Sequence, residues 1–160
     1  MKSEPRAERG PSSPGRIYER LLGDDRAEQR RVLAVIWATV DRDRVVADLR
    51  LPVEPLVDDP SLGASVGLVR PAGEHPIAVL EPYTEGRLAA TLARHGEGPA
   101  GEYVEAPVGL DAIRAAATRA DLVLGRPADG PFGRSVLVLG GPLDGPHLVL
   151  VERTAGTIGR

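Results

Sequence analysis

The sequence predicts an α+β fold with two copies of a β-α-β-β-β module in one chain, preceded by a disordered tail and a short extra helix. Three observations lead to this reading. Hydrophobic periodicity gives the same order of elements twice, over residues 31–82 and again over 100–153. The two hairpins overlay: Gly63-x-Ser65-Val66 falls on Gly133-x-Ser135-Val136, and Pro76–Glu81 falls on His147–Glu152, with one extra residue in the second turn. The glycine-rich stretch Gly96–Gly101 lies between the copies, where a connection belongs.

Each element follows from local chemistry. Residues 1–15 have too few apolar groups to offset the entropy of ordering and read as a disordered tail. Residues 16–30 form a helical extension with Ile17, Leu21 and Leu22 on one side. The stretch 31–40, RVLAVIWATV, is β-branched and nearly uninterrupted, as in a buried strand. Asp41 caps the helix that follows, whose inner face is Val45, Val46 and Leu49. LRLPVEPL supplies a short strand, DDPSLG a loop, and ASVGLVRP and HPIAVLEP a hairpin. A linker helix spans 84–98, with Leu88, Leu92 and Ala93 at helical spacing and Gly96 as its stop. The second copy runs GEYVEAP, GLDAIRAAATRA, DLVLGRP, and a hairpin around PLDG.

Gly96-Glu97-Gly98-Pro99-Ala100-Gly101 is a literal G-x-G-x-x-G. A dinucleotide loop must follow a strand and open a helix. Here a helix precedes it, a strand follows, and Pro99 blocks any helix between, so it reads as a helix stop and a linker.

Composition excludes several classes. At 160 residues the chain suits one domain with a real core. A net charge of −3 gives no general nucleic-acid footprint. No cysteine is present, which removes thiol catalysis and cysteine-ligated zinc. No apolar run approaches a membrane span, and no signal peptide is visible, so a soluble cytoplasmic protein is expected, with neither nucleic acid nor membrane as partner.

The paired modules resemble the vicinal oxygen chelate superfamily, which includes glyoxalase I, methylmalonyl-CoA epimerase, extradiol dioxygenases, and fosfomycin- and bleomycin-resistance proteins. The resemblance covers about residues 31–153 and is carried most clearly by Leu80-Glu81-Pro82 and Gly96-Glu97-Gly98. It implies a glyoxalase-like domain with a cavity between curved sheets. It also implies metal-ligand positions, which fall on Ala34 and Ala78 in module one and on Gly101 (or Ala100) and Val149 in module two. None of these side chains offers a donor. The expectation is a member lacking the metal ligands, with no metal and no cofactor.

Strand alternation then assigns the cavity lining. Ala34, Ile36, Ala38, Ala78 and Leu80 come from module one; Gly101, Tyr103, Glu105, His147, Val149 and Val151 come from module two. An apolar pocket with a few polar groups suits a small molecule. Tyr103 and Glu105 are the candidate catalytic pair, as hydrogen-bond donor and general base; their alternatives are packing and a solvated strand end. His147 is expected to be exposed, His75 to sit in a turn, His95 at a helix end, and Trp37 to pack under a helix. Glu81 and Glu152 point away, toward surface arginines such as Arg153.

Three functions remain open: a metal-free small-molecule binder, a lyase or isomerase using Glu105 and Tyr103 or a metal at misaligned ligands, and a degenerate module for protein association. A homodimer is expected, with the stripe Ile17, Tyr18, Leu21 and Leu22 docking either on its own sheet or, the favoured placement, across a twofold axis onto a second chain.

Overall fold

The computed structural model describes residues 13–139 and 145–153. Its elements run α1 (Pro14–Leu22), α2 (Asp24–Glu28), β1 (Val32–Ala38), α3 (Arg42–Leu49), β2 (Glu54–Asp59), β3 (Ala64–Val69) and β4 (Ile77–Pro82), then α4 (Arg87–His95), β5 (Gly98–Glu105), α5 (Leu110–Arg119), β6 (Ala128–Gly130), β7 (Gly133–Val138) and β8 (His147–Val151). The strands form one sheet in the order β2-β3-β4-β1-β5-β8-β7-β6. Each half repeats the other, with β1 parallel to β4 and β5 parallel to β8, and the halves meet where β1 pairs antiparallel to β5. The terminal strands β2 and β6 approach each other, so the sheet curls around its concave face.

Local chemistry sets the element ends. Ser13 caps α1 by accepting from the Arg16 N–H at 3.3 Å, and Asp41 caps α3 by accepting from the Arg44 N–H at 3.1 Å. Gly96, at φ 75°, closes α4 by donating its N–H to the Leu92 carbonyl. The glycine-rich stretch is therefore a helix stop followed directly by a strand, because β5 begins at Gly98.

Several sequence-based boundaries shift. Residues 1–12 of the expected tail and residues 142–144 of the PLDG turn lie outside the described residues. The extension begins at Pro14, which suits the first helical turn because it needs no N–H there. The strand expected at DLVLGRP reduces to a single bridge from Leu124 to Val138, and β6 begins only at Ala128. The loop DDPSLG loses Asp58 and Asp59 to β2.

The hairpin overlay is also off by one in its first strand. Pairing of Val66 with Leu80, and of Ser135 with Val151, places Ser135 opposite the counterpart of Val66, not of Ser65. Short motifs overlaid by eye ignore the pleat, whereas a one-residue slip reverses every side chain.

Packing divides into an inner and an outer layer. The concave faces of both modules share one cluster, including Ile36, Val66, Leu80, Tyr103 and Val149. Outside, α5 covers module two and α3 covers module one. Of the two placements expected for the N-terminal stripe, the chain itself takes the one on its own sheet. Ile17, Tyr18 and Leu21 of α1 are buried against this chain's own module two, in one cluster with Val104, Ile113, Leu148 and Leu150. The outer face of β5 and β8, where these residues pack, lies beside the point where the extension enters β1.

Truncating this contact tests the assignment. Leu21→Ala should cost about 2–4 kcal/mol in urea unfolding, the range for a buried leucine, and leave the oligomeric state by light scattering unchanged. A dimer that dissociates in this variant would return α1 to an intermolecular role.

Candidate functional site

Alternation places Ala34, Ile36, Ala38, Ala78, Leu80, Tyr103, Val149 and Val151 together on the concave face. They do not line an open cavity. The first six are at 0% exposure, and a wall of a water-sized void would retain accessible area. The expected pocket at these residues is filled. The small side chains of Ala34, Ala38, Ala64, Ala78 and Ala100 leave room inside the curve. Leu62, Tyr103 and Phe132 occupy that room, and α4 adds Leu88 and Leu92 to the same cluster. The Tyr103 and Phe132 rings lie 4.9 Å apart at a 56° tilt.

One polar bond crosses this interior. The Tyr103 hydroxyl donates to Asp59 Oδ2 at 2.5 Å, and both residues are fully buried. In the sheet, β5 and β2 are separated by β3, β4 and β1, so the bond spans the curve. The other carboxylate oxygen accepts from the Ser61 N–H at 2.8 Å, the Ser61 hydroxyl at 2.5 Å and the Leu62 N–H at 3.2 Å. Burial pushes the Tyr103 pKa well above its ordinary 10.0, and the negative Asp59 and its hydrogen bond push the same way.

Glu105 sits at the rim, two residues along the same face, as its partner Val151 does. Its carboxylate is gripped from both sides, by Arg31 Nη1 at 2.9 Å and Arg153 Nε at 2.7 Å, and its side chain is 14% exposed. Arg153 thus pairs with Glu105, whereas Glu152 pairs with Arg134 at 3.9 Å and Glu81 accepts from the Arg42 N–H at 3.2 Å.

His147 corrects the expectation of exposure: it is 2% exposed. The Thr91 hydroxyl donates to the Arg87 carbonyl at 2.9 Å and, with its one proton spent, accepts from His147 Nε2 at 2.8 Å. Two glycines make the room. Gly145 lies against the ring, and a Cβ on Gly101 (φ 153°) would overlap the His147 carbonyl.

Ala34, Ala78, Gly101 and Val149, the positions that the resemblance implies, carry no side-chain nitrogen or oxygen donor. Among the described residues no group of three or more His, Asp or Glu could hold a metal ion. The residues present do not fit a divalent ion at the positions the resemblance implies.

On the inner side of the curl, open volume lies at one mouth. A cleft of about 450 Å³ runs between the 60–63 turn, residues 84–87 and residues 125–128. Its floor is Leu62, Leu137 and Leu139, continuous with the inner cluster. Its rim carries Ser61, Thr84, Glu85, Arg87 and Arg126. Neither Arg87 nor Arg126 forms an ion pair among the described residues. Sequence reasoning missed Asp59, Ser61, Thr91, Arg87 and Arg126. The signal for the first two was Asp59-Pro60-Ser61, a pattern in which an aspartate accepts from the backbone two residues on.

Paired β-α-β-β-β modules in one curved eight-stranded sheet define the glyoxalase-like fold. Methylmalonyl-CoA epimerases, members of the vicinal oxygen chelate superfamily, share it. That of Streptomyces coelicolor, in complex with 2-nitronate-propionyl-CoA, is 21% identical over 78% of this chain and 98% of its own, with a TM-score of 0.63. That of Mycobacterium tuberculosis is 20% identical over 78% and 89%, with a TM-score of 0.61. A hypothetical protein from Bacillus halodurans C-125 is 18% identical over 81% and 99%, with a TM-score of 0.62. At such identities the likeness is one of fold. No family model and no curated protein matches the chain. No helix among the described residues is long and apolar enough to cross a membrane.

The strut gives a pH prediction. Because the Tyr103 pKa is raised on folding, the folded chain keeps a proton that the unfolded chain loses above its value near 10.0. The stabilisation is complete below that pH and is lost as pH rises from there through the higher folded pKa. Tyr103→Phe should cost about 1.5–3 kcal/mol at pH 7, the worth of a hydrogen bond to a charged group. It should also flatten the alkaline fall in Tm. A variant with wild-type stability and an unchanged alkaline fall contradicts the strut.

Proposed function

We propose that this chain is a metal-free small-molecule-binding protein of the glyoxalase-like fold, with its ligand in the mouth cleft rather than deep in the concave face. One observation carries this reading: Arg87 and Arg126, without ion pairs among the described residues, stand over an apolar floor of Leu62, Leu137 and Leu139. That combination suits an organic anion, with the apolar body on the leucines and the acid group at the guanidiniums. The neighbours' CoA esters are of the same broad chemistry, anions with an acyl portion.

The chemistry of the candidate pair favours binding over isomerisation. A general base must reach the proton it abstracts. The Glu105 carboxylate is held between Arg31 and Arg153, and the Tyr103 hydroxyl is spent on Asp59. We extend the proposal to a cytoplasmic protein that is metal-free as purified, and leave the homodimer to be decided by light scattering, since α1 is satisfied within its own chain.

Three measurements test this. Octanoate should raise Tm in a saturable way, and Arg126→Ala should weaken its Kd about tenfold, the equivalent of one charge-assisted contact of about 1.4 kcal/mol. Metal analysis of protein purified without chelators should find far less than one divalent ion per chain. Methylmalonyl-CoA incubated with the protein in D2O should gain no deuterium beyond the background rate. One equivalent of metal, or deuterium uptake lost in Glu105→Gln, would replace the binder with an enzyme.

A further inference from the structure

The internal repeat is complete in the sheet and incomplete in the layer outside it. Ile36 pairs with Ala78 as Tyr103 pairs with Val149, so Trp37 corresponds to Val104, Ile77 to Leu148 and Val79 to Leu150. On module two, Val104, Leu148 and Leu150 are at 0% exposure, because α1 joins α5 in covering them. On module one, α3 stands alone. It buries Val79 but leaves Trp37 and Ile77 half-buried, and Leu49 and Val53 are 38% and 44% exposed.

Trp37 and Ile77 form the wall between two clefts of about 220 and 370 Å³. The indole Nε1 is buried yet has no hydrogen-bond partner among the described residues. A buried donor without an acceptor is costly and rare in a finished surface. The cleft walls also carry charge. Asp48, Glu97 and Glu74 outnumber Arg44, which already bridges Asp48 and Glu97.

We propose that the outer face of module one around Trp37 docks an amphipathic helix of a partner protein. This helix is apolar on one side and basic on its flanks, and it takes the place that α1 fills on module two. The proposal is independent of the ligand in the mouth cleft. The repeat sets the kind of occupant, since the matching apolar face is already covered by a nine-residue helix presenting Ile17, Tyr18 and Leu21. The acidic clefts set its charge, and Arg16 and Arg20 against Glu19 leave α1 itself net basic.

Trp37 is the chain's only tryptophan, so its emission reports on this face alone. The probe is a synthetic peptide of residues 13–23, stapled between positions 15 and 19 to hold it helical, because so short a helix is marginal in water. Titrated into the full chain, it should shift Trp37 emission to the blue in a saturable way, and added salt should weaken it. Leu49→Asp, at an already exposed position, should weaken binding about tenfold with Tm unchanged, and Ile77→Asp should do the same or more. No saturable shift up to the solubility limit overturns the proposal, as does one that both variants leave intact. Peptide that merely exchanged with α1 on module two would leave Trp37 emission unmoved and count against it. A Trp37 shift with protein concentration alone, matched by dimer formation in light scattering, would assign the face to a second copy and overturn the helical partner.

Discussion

The Tyr103 hydroxyl and the Asp59 carboxylate meet inside a curled sheet, without access to water. A buried hydroxyl needs an acceptor and a buried carboxylate needs donors. Each supplies the other, and the Ser61 and Leu62 backbone N–H groups complete the set. This bond ties the end of β2 to the middle of β5 and holds the curl closed. The alanines of the concave face let the strands of the two modules lie around one small volume, and Tyr103, Phe132, Leu62 and the linker-helix residue Leu88 fill it. On the inner side of the curl the open volume is the mouth, where Pro60–Gly63, the turn that follows Asp59, forms one wall of the cleft. Structure and site thus share one device: the turn that satisfies Asp59 also shapes the cleft.

The two modules use the same sheet for different ends. In module two the outer layer is doubled by α1 and sealed; in module one it is single and leaves Trp37 half-covered. The inner layers diverge as well. Ile36 and Tyr103 occupy corresponding places, and only the second adds a polar group to the interior.

Legibility in the sequence followed the range of the interaction. The modules, the capped α3 and the glycine stop at Gly96 could be read from local pattern, because caps and periodicities are decided within a few residues. The shared face of Ala34, Ile36, Ala78, Tyr103 and Val149 followed from alternation alone. What alternation cannot say is whether a face is open. That depends on the closeness of β2 to β6 and on the reach of Leu88 from α4, both long-range. His147 was misjudged for the same reason: its burial depends on Gly101 and Gly145 beside it and on Thr91 one helix away. Asp59 looked like loop punctuation because its partner lies 44 residues along the chain. Arg87 and Arg126 carried no signal, since two arginines far apart in sequence meet at a cleft only after the modules have closed.

A crystal structure of the full chain grown with octanoate distinguishes a ligand at the mouth from one in the concave interior. At the mouth, density lies between Leu62, Leu137 and Leu139, with its carboxylate toward Arg87 and Arg126, and the Tyr103–Asp59 bond stays intact. Density among Ala34, Ala78 and Val149, with Tyr103 swung away from Asp59, would put the ligand in the interior and rule out the mouth.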